Sequence, residues 1–432
     1  MVGILWLSAT SADGAEAVHP HNLIPPGTAA YEAVSLEATL HGRAVASVTL
    51  SQPTVVAVAS KPEDWGFFQF PSVGYLPNVA LEVHWSMHAD SITSYGKSGS
   101  AKATSTDGGK TWTRSEAPAE ATEGLLLPSG DRIAVVSPVA LKATDLDLPK
   151  SVGEARASRP KHPMVLYRHS ELPPSRQGIF IKRLRQGQNT WVTEHATLID
   201  PQALRYSLDG LVPIVWWGDM HIAADGALYA GTYPGYRLRA DGSVDPSSGI
   251  YFYRSTDEGR TWKIQGRILY DADLSVDPIG DTRMGFTEPA FEILADGTFL
   301  CVLRTTDGRG IGPMYASFSQ DLGATWTKPK AFTPSGVLPR LLRLKNGVTV
   351  LSSGRPGVQV RFSTNRNAET WTDSFEMLPY HNLPDVGSCG YTGLLATGPD
   401  RFLLVYSDFR FLNAAKEIRK AIKIREIVVT PK

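Results

Sequence analysis

The chain has 432 residues, of which 42% are hydrophobic and 20% are charged, a composition typical of a folded globular protein. Lys plus Arg and Asp plus Glu each number 43, and this balance excludes a global field that would attract nucleic acid or an anionic membrane. Glycine (39) and proline (30) are frequent, which indicates many tight turns. No apolar run reaches the roughly 20 residues that a membrane span needs.

The chain starts with an apolar segment, Met1–Leu7, followed by small residues at 8–12. This order is similar to the core and cleavage region of a signal peptide, although a basic leader is missing. We therefore expect residues 1–30 to be an N-terminal segment, a truncated signal region, and residues 31–432 to form a single domain. The expected location is secreted or periplasmic, with the cytoplasm as the alternative.

An octapeptide of the pattern Ser-x-Asp-x-Gly-x-Thr-Trp recurs along the chain. Well-formed copies cover residues 105–112, 255–262 and 319–326, a degenerate copy with Asn365 covers 363–371, and a trace remains at Asn189–Trp191. The tryptophans are 79, 71, 64 and 45 residues apart. A four-stranded propeller blade takes about 40–50 residues, so the spacing predicts blades with long loops.

The octapeptide has the composition of a stabilised hairpin turn. Its aspartate can accept hydrogen bonds from backbone N–H groups of the turn, its glycine permits a positive φ angle, and its tryptophan can pack between neighbouring sheets. We therefore expect Asp107, Asp257 and Asp321 to be structural rather than catalytic.

Other local patterns are consistent with a chain of short strands. Strand-like runs follow turn signals at 299–303, 348–351 and 402–406. Residues 413–420 are predicted to form a helical turn or two, and the polar residues 150–160 a surface loop. The two cysteines, Cys301 and Cys389, are too few for a disulfide framework or a zinc pattern and are expected to be buried free thiols, with one bridge as the alternative.

The octapeptide resembles the Asp-box, or BNR repeat, of the sialidase-like β-propellers, and the resemblance extends from about residue 65 to residue 406. It implies an all-β fold, a six-bladed β-propeller of four-stranded antiparallel blades, with seven blades as the alternative. In a propeller the innermost strands converge on the central axis, so side chains from distant positions can meet in one pocket.

Residues 287–304 resemble the sialidase segment in which a glutamate precedes a strand and an arginine ends the next one. The resemblance implies that Glu288 polarises the nucleophile and that Arg304 binds the substrate carboxylate. The alternative is a surface glutamate and a strand-end arginine in a salt bridge. Arg355 matches a second carboxylate-binding arginine better than Arg361 does, and two arginines suit bidentate recognition of a carboxylate.

The segment that begins at Tyr391 resembles the sialidase segment whose first tyrosine is the nucleophile. A neutral attacker avoids repulsion by the carboxylate on the anomeric carbon, and sialidases are the glycosidases that use a tyrosine. A phenol with a pKa of about 10 needs a base, which Glu288 would provide. A packing role for Tyr391 is the alternative.

The N-terminal part departs from the family pattern. Where sialidases have a third carboxylate-binding arginine, this chain has Gln69. A charge-assisted hydrogen bond contributes about 1.5–3 kcal/mol. Gln69 at this position should therefore weaken the binding of a substrate carboxylate, or it indicates that the substrate is another sugar. The resemblance also implies that Asp90 is the acid/base residue, with His88 as a rival.

A second polar cluster has no counterpart in the resemblance. Aromatic residues occur at 216–217 and 233–236, and aromatic rings can stack on sugar faces. Asp219, His221 and Tyr233 are therefore candidate substrate-binding residues. Packing between blades is the alternative.

These residues leave three functions open. The first is a retaining exo-glycosidase that removes a terminal acidic sugar, by default sialic acid, from a glycan. The second is a propeller-type polysaccharide lyase that removes a proton next to a uronate carboxylate, with a histidine or tyrosine as the base. The residues that favour it are His88, His221, Tyr233, Tyr236 and Gln69. The third is a carbohydrate-binding propeller without catalysis. No cofactor and no dedicated metal site is expected, and the partner is a glycan in each case.

Overall fold

The computed structural model describes residues 32–76, 79–97, 99–115, 124–157, 163–216, 218–306, 312–355, 357–378 and 387–432. The predicted N-terminal segment therefore lies outside the described residues. Within them, helical structure is limited to short 3₁₀ helices at Ile92–Ser94, Ala143–Asp145, His169–Glu171, Pro174–Arg176 and Gly280–Thr282. No described helix is long and apolar enough to cross a membrane.

The described residues are organised almost entirely as strands. In the first half of the chain these are β1 (Val34–Leu40), β2 (Arg43–Leu50), β3 (Thr54–Val58), β4 (Phe67–Tyr75), β5 (Leu81–Met87), β6 (Ser100–Ser105), β7 (Thr113–Ser115), β8 (Leu125–Leu126), β9 (Arg132–Val136), β10 (Leu141–Lys142), β11 (Gly153–Ala155), β12 (Met164–Arg168), β13 (Ile179–Leu184), β14 (Trp191–Ile199), β15 (Leu204–Ser207) and β16 (Leu211–Val212). In the second half they are β17 (Met220–Ile222), β18 (Leu228–Gly235), β19 (Gly249–Ser255), β20 (Thr261–Ile268), β21 (Gly285–Ile293), β22 (Phe299–Thr306), β23 (Met314–Ser319), β24 (Lys330–Thr333), β25 (Val337–Arg343), β26 (Thr349–Gly354), β27 (Val358–Ser363), β28 (Phe375–Glu376), β29 (Thr392–Ala396), β30 (Arg401–Leu412) and β31 (Ile418–Pro431).

These strands form a six-bladed propeller, as predicted. Blade 1 is β4–β7, blade 2 is β8, β9, β13 and β14, blade 3 is β17–β20, blade 4 is β21–β24, and blade 5 is β25–β28. Blade 6 contains β29, β30 and β31, and its outer strand comes from the N-terminal part of the chain, because β2 and β3 both pair with β31. The first strands thus close the ring against the last ones, which protects an otherwise open sheet edge.

The outer region contains two additions to the regular blades. Strand β14 of blade 2 pairs in parallel with β20 of blade 3, which joins the two blades into one eight-stranded sheet. Two small sheets, β10–β16 and β11–β12–β15, come from excursions before and after the outer strands of blade 2. The predicted loop at 150–160 is therefore corrected in part, since β11 lies within it and pairs with β12; its last residues, 158–160, lie outside the described residues.

Apolar clusters fill the interfaces between neighbouring blades. Separate clusters join blades 5 and 6, blades 6 and 1, blades 2 and 3, blades 3 and 4, and blades 4 and 5. Cys301 lies in the cluster between blades 3 and 4, and both it and Cys389 are buried free thiols, as predicted. Burial raises the pKa of the Cys301 thiol, with a smaller contribution from the charge of Asp219.

The octapeptides form the turns between the third and fourth strands of blades 1, 3, 4 and 5. In blade 3 the Oδ1 atom of Asp257 accepts hydrogen bonds from Ser255 Oγ and Thr261 N, both at 2.8 Å. The Trp262 indole donates to the Gly259 carbonyl at 2.9 Å, and the φ angle of Gly259 is +85°.

The same pattern recurs at Asp107 and Asp321, so the predicted turn chemistry is confirmed. Trp262 is fully buried in the cluster between blades 2 and 3, and Trp326 stacks on Phe252 at 4.2 Å across blades 3 and 4. The trace at Trp191 begins the fourth strand of blade 2, the position that the repeat predicts.

The helical prediction at 413–420 was wrong. These residues form the tip of the β30–β31 hairpin and the start of β31. The side chain of Asn413 accepts a hydrogen bond from the Glu417 N–H at 2.9 Å, and Lys416 adopts a φ angle of +60°. This local bonding stabilises a tight turn, and pairing with β30 outweighs the helical preference of Ala414 and Ala415.

We expect Asp257→Ala to lower the free energy of unfolding by about 1 kcal/mol at neutral pH, because the turn loses a carboxylate acceptor that is partly screened by solvent. Burial acts to raise the pKa of Asp257, but hydrogen bonds from Thr261 and Ser255 bring it below its ordinary value. A carboxylate with a lowered pKa stabilises the fold above its unfolded pKa, so the difference from wild type should begin to shrink as the pH falls below about 4 and should vanish only below the lowered pKa of the folded state.

Urea unfolding at several pH values measures this effect. Asp147→Ala is the matched control, since Asp147 is exposed. An equal loss for both variants, or a loss that does not depend on pH, would show that the turn carboxylate does not stabilise the fold.

Candidate active site

Three side chains from blades 4 and 6 meet at the centre of the ring. Glu288 lies on β21, the innermost strand of blade 4, Arg304 lies on β22, and Tyr391 immediately precedes β29, the innermost strand of blade 6. The Tyr391 hydroxyl donates a short hydrogen bond to Glu288 Oε1. Arg304 Nη1 donates to the same oxygen at 2.7 Å and to the Tyr391 hydroxyl oxygen at 3.1 Å. The three residues that the sequence singled out for the reaction therefore form one hydrogen-bonded group.

The backbone at Glu288 explains how its side chain reaches this group. Glu288 has a φ angle of +46° and lies in a β-bulge between Thr287 and Ala290. A positive φ angle is uncommon for a residue with a side chain, and a bulge turns a side chain away from its regular strand direction. Strain of this kind is concentrated at functional sites.

A second bulge supplies the other partner of the carboxylate. Leu338 on β25 has a φ angle of +36°, and the bulge between Val337 and Arg340 presents its N–H to Glu288 Oε2 at 2.9 Å. Both Glu288 and Leu338 precede a proline, a sequence feature that the two bulges share.

The electrostatics of the group assign a charge to each member. Burial acts to raise the pKa of Glu288, but the Arg304 charge and hydrogen bonds from Arg304, Tyr391 and the Leu338 N–H bring it below its ordinary value. Burial and the Glu288 charge raise the pKa of Tyr391 well above its usual range, against the opposing charges of Arg304 and Arg355. At neutral pH the group therefore contains a carboxylate, a guanidinium and a neutral phenol.

Arg355, the second predicted carboxylate-binding arginine, lies beside Tyr391. It follows β26 with a φ angle of +49°, and its Nε donates to the Cys389 carbonyl at 3.0 Å. Its guanidinium lies 5.9 Å from the centre of the Tyr391 ring. Gly354 and Gly390 allow these two segments to approach, since a Cβ atom on Gly354 would lie 2.1 Å from the Gly390 Cα.

Asp90 and His88 lie on the loop after β5. Asp90 is exposed, and its Oδ2 accepts a hydrogen bond from the Trp65 indole at 3.0 Å. His88 makes a contact of 3.0 Å between its Nδ1 and the Ala89 carbonyl oxygen. It also lines a cavity of about 260 Å³ together with Phe70, whose ring packs against Tyr391 at 4.9 Å.

Gln69 is fully buried on β4, between Phe68 and Phe70, which have φ angles of +54° and +52°. It pairs with Ser86 of β5. Among the described residues neither its Oε1 nor its Nε2 has a hydrogen-bond partner. In this conformation the amide is enclosed by protein, and its predicted contact with substrate stays a prediction.

The second polar cluster divides into two parts. Asp219 and His221 lie at β17, the innermost strand of blade 3. Asp219 pairs with Arg340 of β25 at 3.0 Å, and His221 lies 3.9 Å from Glu292. Arg340 was not identified from the sequence, because its pairing with Asp219 joins two blades that are distant in the chain.

Tyr233, in contrast, is buried close enough to Glu288 to be influenced by its charge. Burial raises its pKa well above the usual range, and the charge of Glu288 adds to that rise. The Trp216 ring packs on the Trp262 ring at 5.6 Å, which agrees with the alternative of packing between blades. Trp217 lies outside the described residues. Within the described ranges no group of three or more His, Cys, Asp or Glu residues could hold a metal ion.

Fold and site together define a six-bladed all-β propeller with a carboxylate, a phenol and two guanidinium groups close together at its centre. No family model matches the sequence, and no curated protein matches it. Among solved structures, a Dyadobacter fermentans protein of unknown function is similar over 87% of this chain and 99% of its own, with a TM-score of 0.56 and 18% identity.

A Penicillium chrysogenum α-L-arabinanase, solved with arabinobiose, is similar over 87% of this chain and 98% of its own, with a TM-score of 0.50 and 14% identity. A Hadza microbial sialidase covers 90% of this chain and 73% of its own, with a TM-score of 0.49 and 17% identity. At these identities the first two likenesses support the propeller fold alone.

Proposed function

We propose that the protein is a retaining exo-glycosidase that releases a terminal acidic sugar, sialic acid, from glycans. The observation that carries this proposal is the hydrogen bond between the Tyr391 hydroxyl and the Glu288 carboxylate, with Arg304 donating to both. A tyrosine paired with a carboxylate is the arrangement that a glycosidase needs when the reacting carbon itself bears a negative charge.

The geometry supports the following first step. Tyr391 Oη attacks the anomeric carbon while its proton passes to Glu288, and Asp90 donates a proton to the leaving oxygen as the glycosidic bond breaks. The raised pKa of Tyr391 keeps the phenol neutral until it attacks. The lowered pKa of Glu288 keeps its carboxyl group ionised at neutral pH, which is the form that can accept the proton. The product is a sugar bonded to Tyr391 and a released alcohol.

The second step reverses these roles. Asp90, now ionised, removes a proton from water, the water oxygen attacks the anomeric carbon, and the bond to Tyr391 Oη breaks as Glu288 returns its proton. Two inversions at the same carbon give overall retention. Arg304 and Arg355 bind the substrate carboxylate throughout, and Gln69 in place of a third arginine weakens that binding.

The test is incubation of the purified protein with a fluorogenic sialoside between pH 4 and pH 8. Release of the fluorophore, with the α-anomer of sialic acid as the first product seen by NMR, supports the proposal. In parallel, a uronate-containing polysaccharide is followed in the near ultraviolet, because a lyase creates an absorbing double bond and a hydrolase does not. Absorbance without fluorophore release would favour the lyase over the glycosidase. The absence of both signals would favour a carbohydrate-binding protein without catalysis.

A further inference from the structure

Trp65 contacts two parts of the candidate site. Its indole Nε1 donates to Asp90 Oδ2 at 3.0 Å, and the guanidinium of Arg355 lies over its ring at 5.2 Å. Trp65 is therefore in contact both with the proposed proton donor and with a proposed carboxylate-binding arginine, although it is itself 39% exposed.

Two contacts hold Trp65 at this position. Its ring packs edge-on against Phe409 of blade 6 at 6.1 Å, and the Lys420 ammonium lies over the Phe409 ring at 4.5 Å. Lys420 Nζ also donates to the carbonyl oxygens of Asp64 at 2.6 Å and Phe67 at 3.2 Å. The segment that carries Trp65 is thus tied to blade 6 on one side.

On the other side, the backbone next to Trp65 contacts the loop that carries Asp90. Gly66 has a φ angle of +102°, and a Cβ atom there would lie 2.2 Å from the His88 carbonyl oxygen and 2.4 Å from the Asp90 N atom. Any larger residue would displace the loop, so this glycine allows the close approach that brings the indole N–H to the carboxylate.

We propose that Trp65 is a positioning residue that directs the Asp90 carboxyl group toward the leaving oxygen and orients Arg355 for the substrate carboxylate. The inference rests on the proposed function. By binding Oδ2, the indole N–H leaves Oδ1 as the oxygen that carries the transferred proton. The ring meanwhile restricts the guanidinium that Arg355 presents beside Tyr391.

Two variants separate these roles. Trp65→Phe keeps an aromatic ring against Arg355 but removes the N–H, whereas Trp65→Leu removes both. Each is assayed on a sialoside with a sugar leaving group, which needs protonation, and on one with a 4-nitrophenyl leaving group, which departs unaided. General acid catalysis accelerates reactions by about 10²–10⁴-fold. A carboxyl group that points in the wrong direction should therefore lose part of this acceleration.

We expect Trp65→Phe to lower kcat/KM, which reports the first step, about 10-fold on the sugar-leaving substrate and less than about 3-fold on the nitrophenyl substrate. Trp65→Leu should show the same split and also raise KM about 3-fold or more on both substrates, because the cation–π contact with Arg355 is lost. Asp90→Asn should show the leaving-group split in stronger form. Trp191→Phe, on an outer strand, is the control for the general cost of the substitution.

Equal losses on both substrates, or no loss on either, would overturn the inference. The indole contact is also checked without turnover: the Nε1–H resonance that disappears in Trp65→Phe should shift in Asp90→Asn, and an unmoved resonance would equally overturn the inference. Failure of the proposed function is a different result, namely a wild-type protein that cleaves neither sialoside, and it would remove the catalytic role of Trp65 as well.

Discussion

Tyr391→Phe is expected to reduce sialoside cleavage by about 10³-fold or more, because it removes the nucleophile and no other group can form the covalent bond. The ring itself is retained, so its packing on Phe70 at 4.9 Å and its contact with Arg355 at 5.9 Å remain. Substrate binding should therefore change little. Steady-state kinetics on the fluorogenic sialoside measure kcat, and calorimetric binding of a sialic acid analogue measures affinity.

Tyr233→Phe is the matched control for this variant. Tyr233 is also buried and also influenced by the Glu288 charge, yet it has no part in the proposed bond-making step. We expect its effect on kcat to stay below about 10-fold. If Tyr233→Phe abolished activity while Tyr391→Phe retained it, the assignment of the nucleophile would be wrong and a tyrosine base of lyase type would be favoured.

Glu288→Gln is expected to have the second largest effect, on both activity and stability. The phenol loses the base that accepts its proton, so kcat should fall by about 10²-fold or more. The guanidinium of Arg304, only 7% exposed, loses its anionic partner. Removing one member of a buried ion pair costs about 3–5 kcal/mol, so the variant should unfold at lower urea concentration and lower temperature.

The pH dependence of this loss has a definite sign. The pKa of Glu288 is lowered in the folded protein, so the carboxylate stabilises the fold above its unfolded pKa and this stabilisation disappears as the pH falls. The stability difference between wild type and Glu288→Gln should therefore be large at pH 7 and shrink below about pH 4.

A double-mutant cycle gives the control. Arg304→Met alone leaves the carboxylate unpaired, whereas the double variant Glu288→Gln/Arg304→Met removes both charges. The double variant should be less destabilised than the sum of the two single variants, by about 0.5–3 kcal/mol. Additive losses would contradict the buried ion pair.

The fold was largely predictable because its signal is local. The hydrogen bonds of Asp257 and the indole bond of Trp262 lie within one octapeptide, so the sequence of that octapeptide is enough to indicate the turn. Repetition of the turn then indicates repeated blades. Local preference failed at residues 413–420, where pairing of β30 with β31 decides the structure.

In the candidate site, the sequence predicted proximity only for residues that a family resemblance covers, and their roles in a reaction stay predictions. Glu288, Arg304 and Tyr391 lie together as that resemblance implies. The N–H of Leu338 and the indole of Trp65 were missed, since each acts through a contact that only the folded ring creates. No propensity or spacing rule indicates which backbone N–H will lie opposite a carboxylate on another blade.

The central claim, a covalent bond between the sugar and Tyr391, is tested most directly by trapping it. A 2,3-difluorinated sialic acid reacts at the anomeric carbon, and its ring fluorine slows the second step because the oxocarbenium-like transition state is destabilised. We predict that the intact mass increases by one fluorosialosyl group, that peptide mapping places the group on Tyr391, and that Tyr391→Phe is not labelled. An unlabelled wild-type protein that still hydrolyses sialosides, or a label on another residue, would contradict the account.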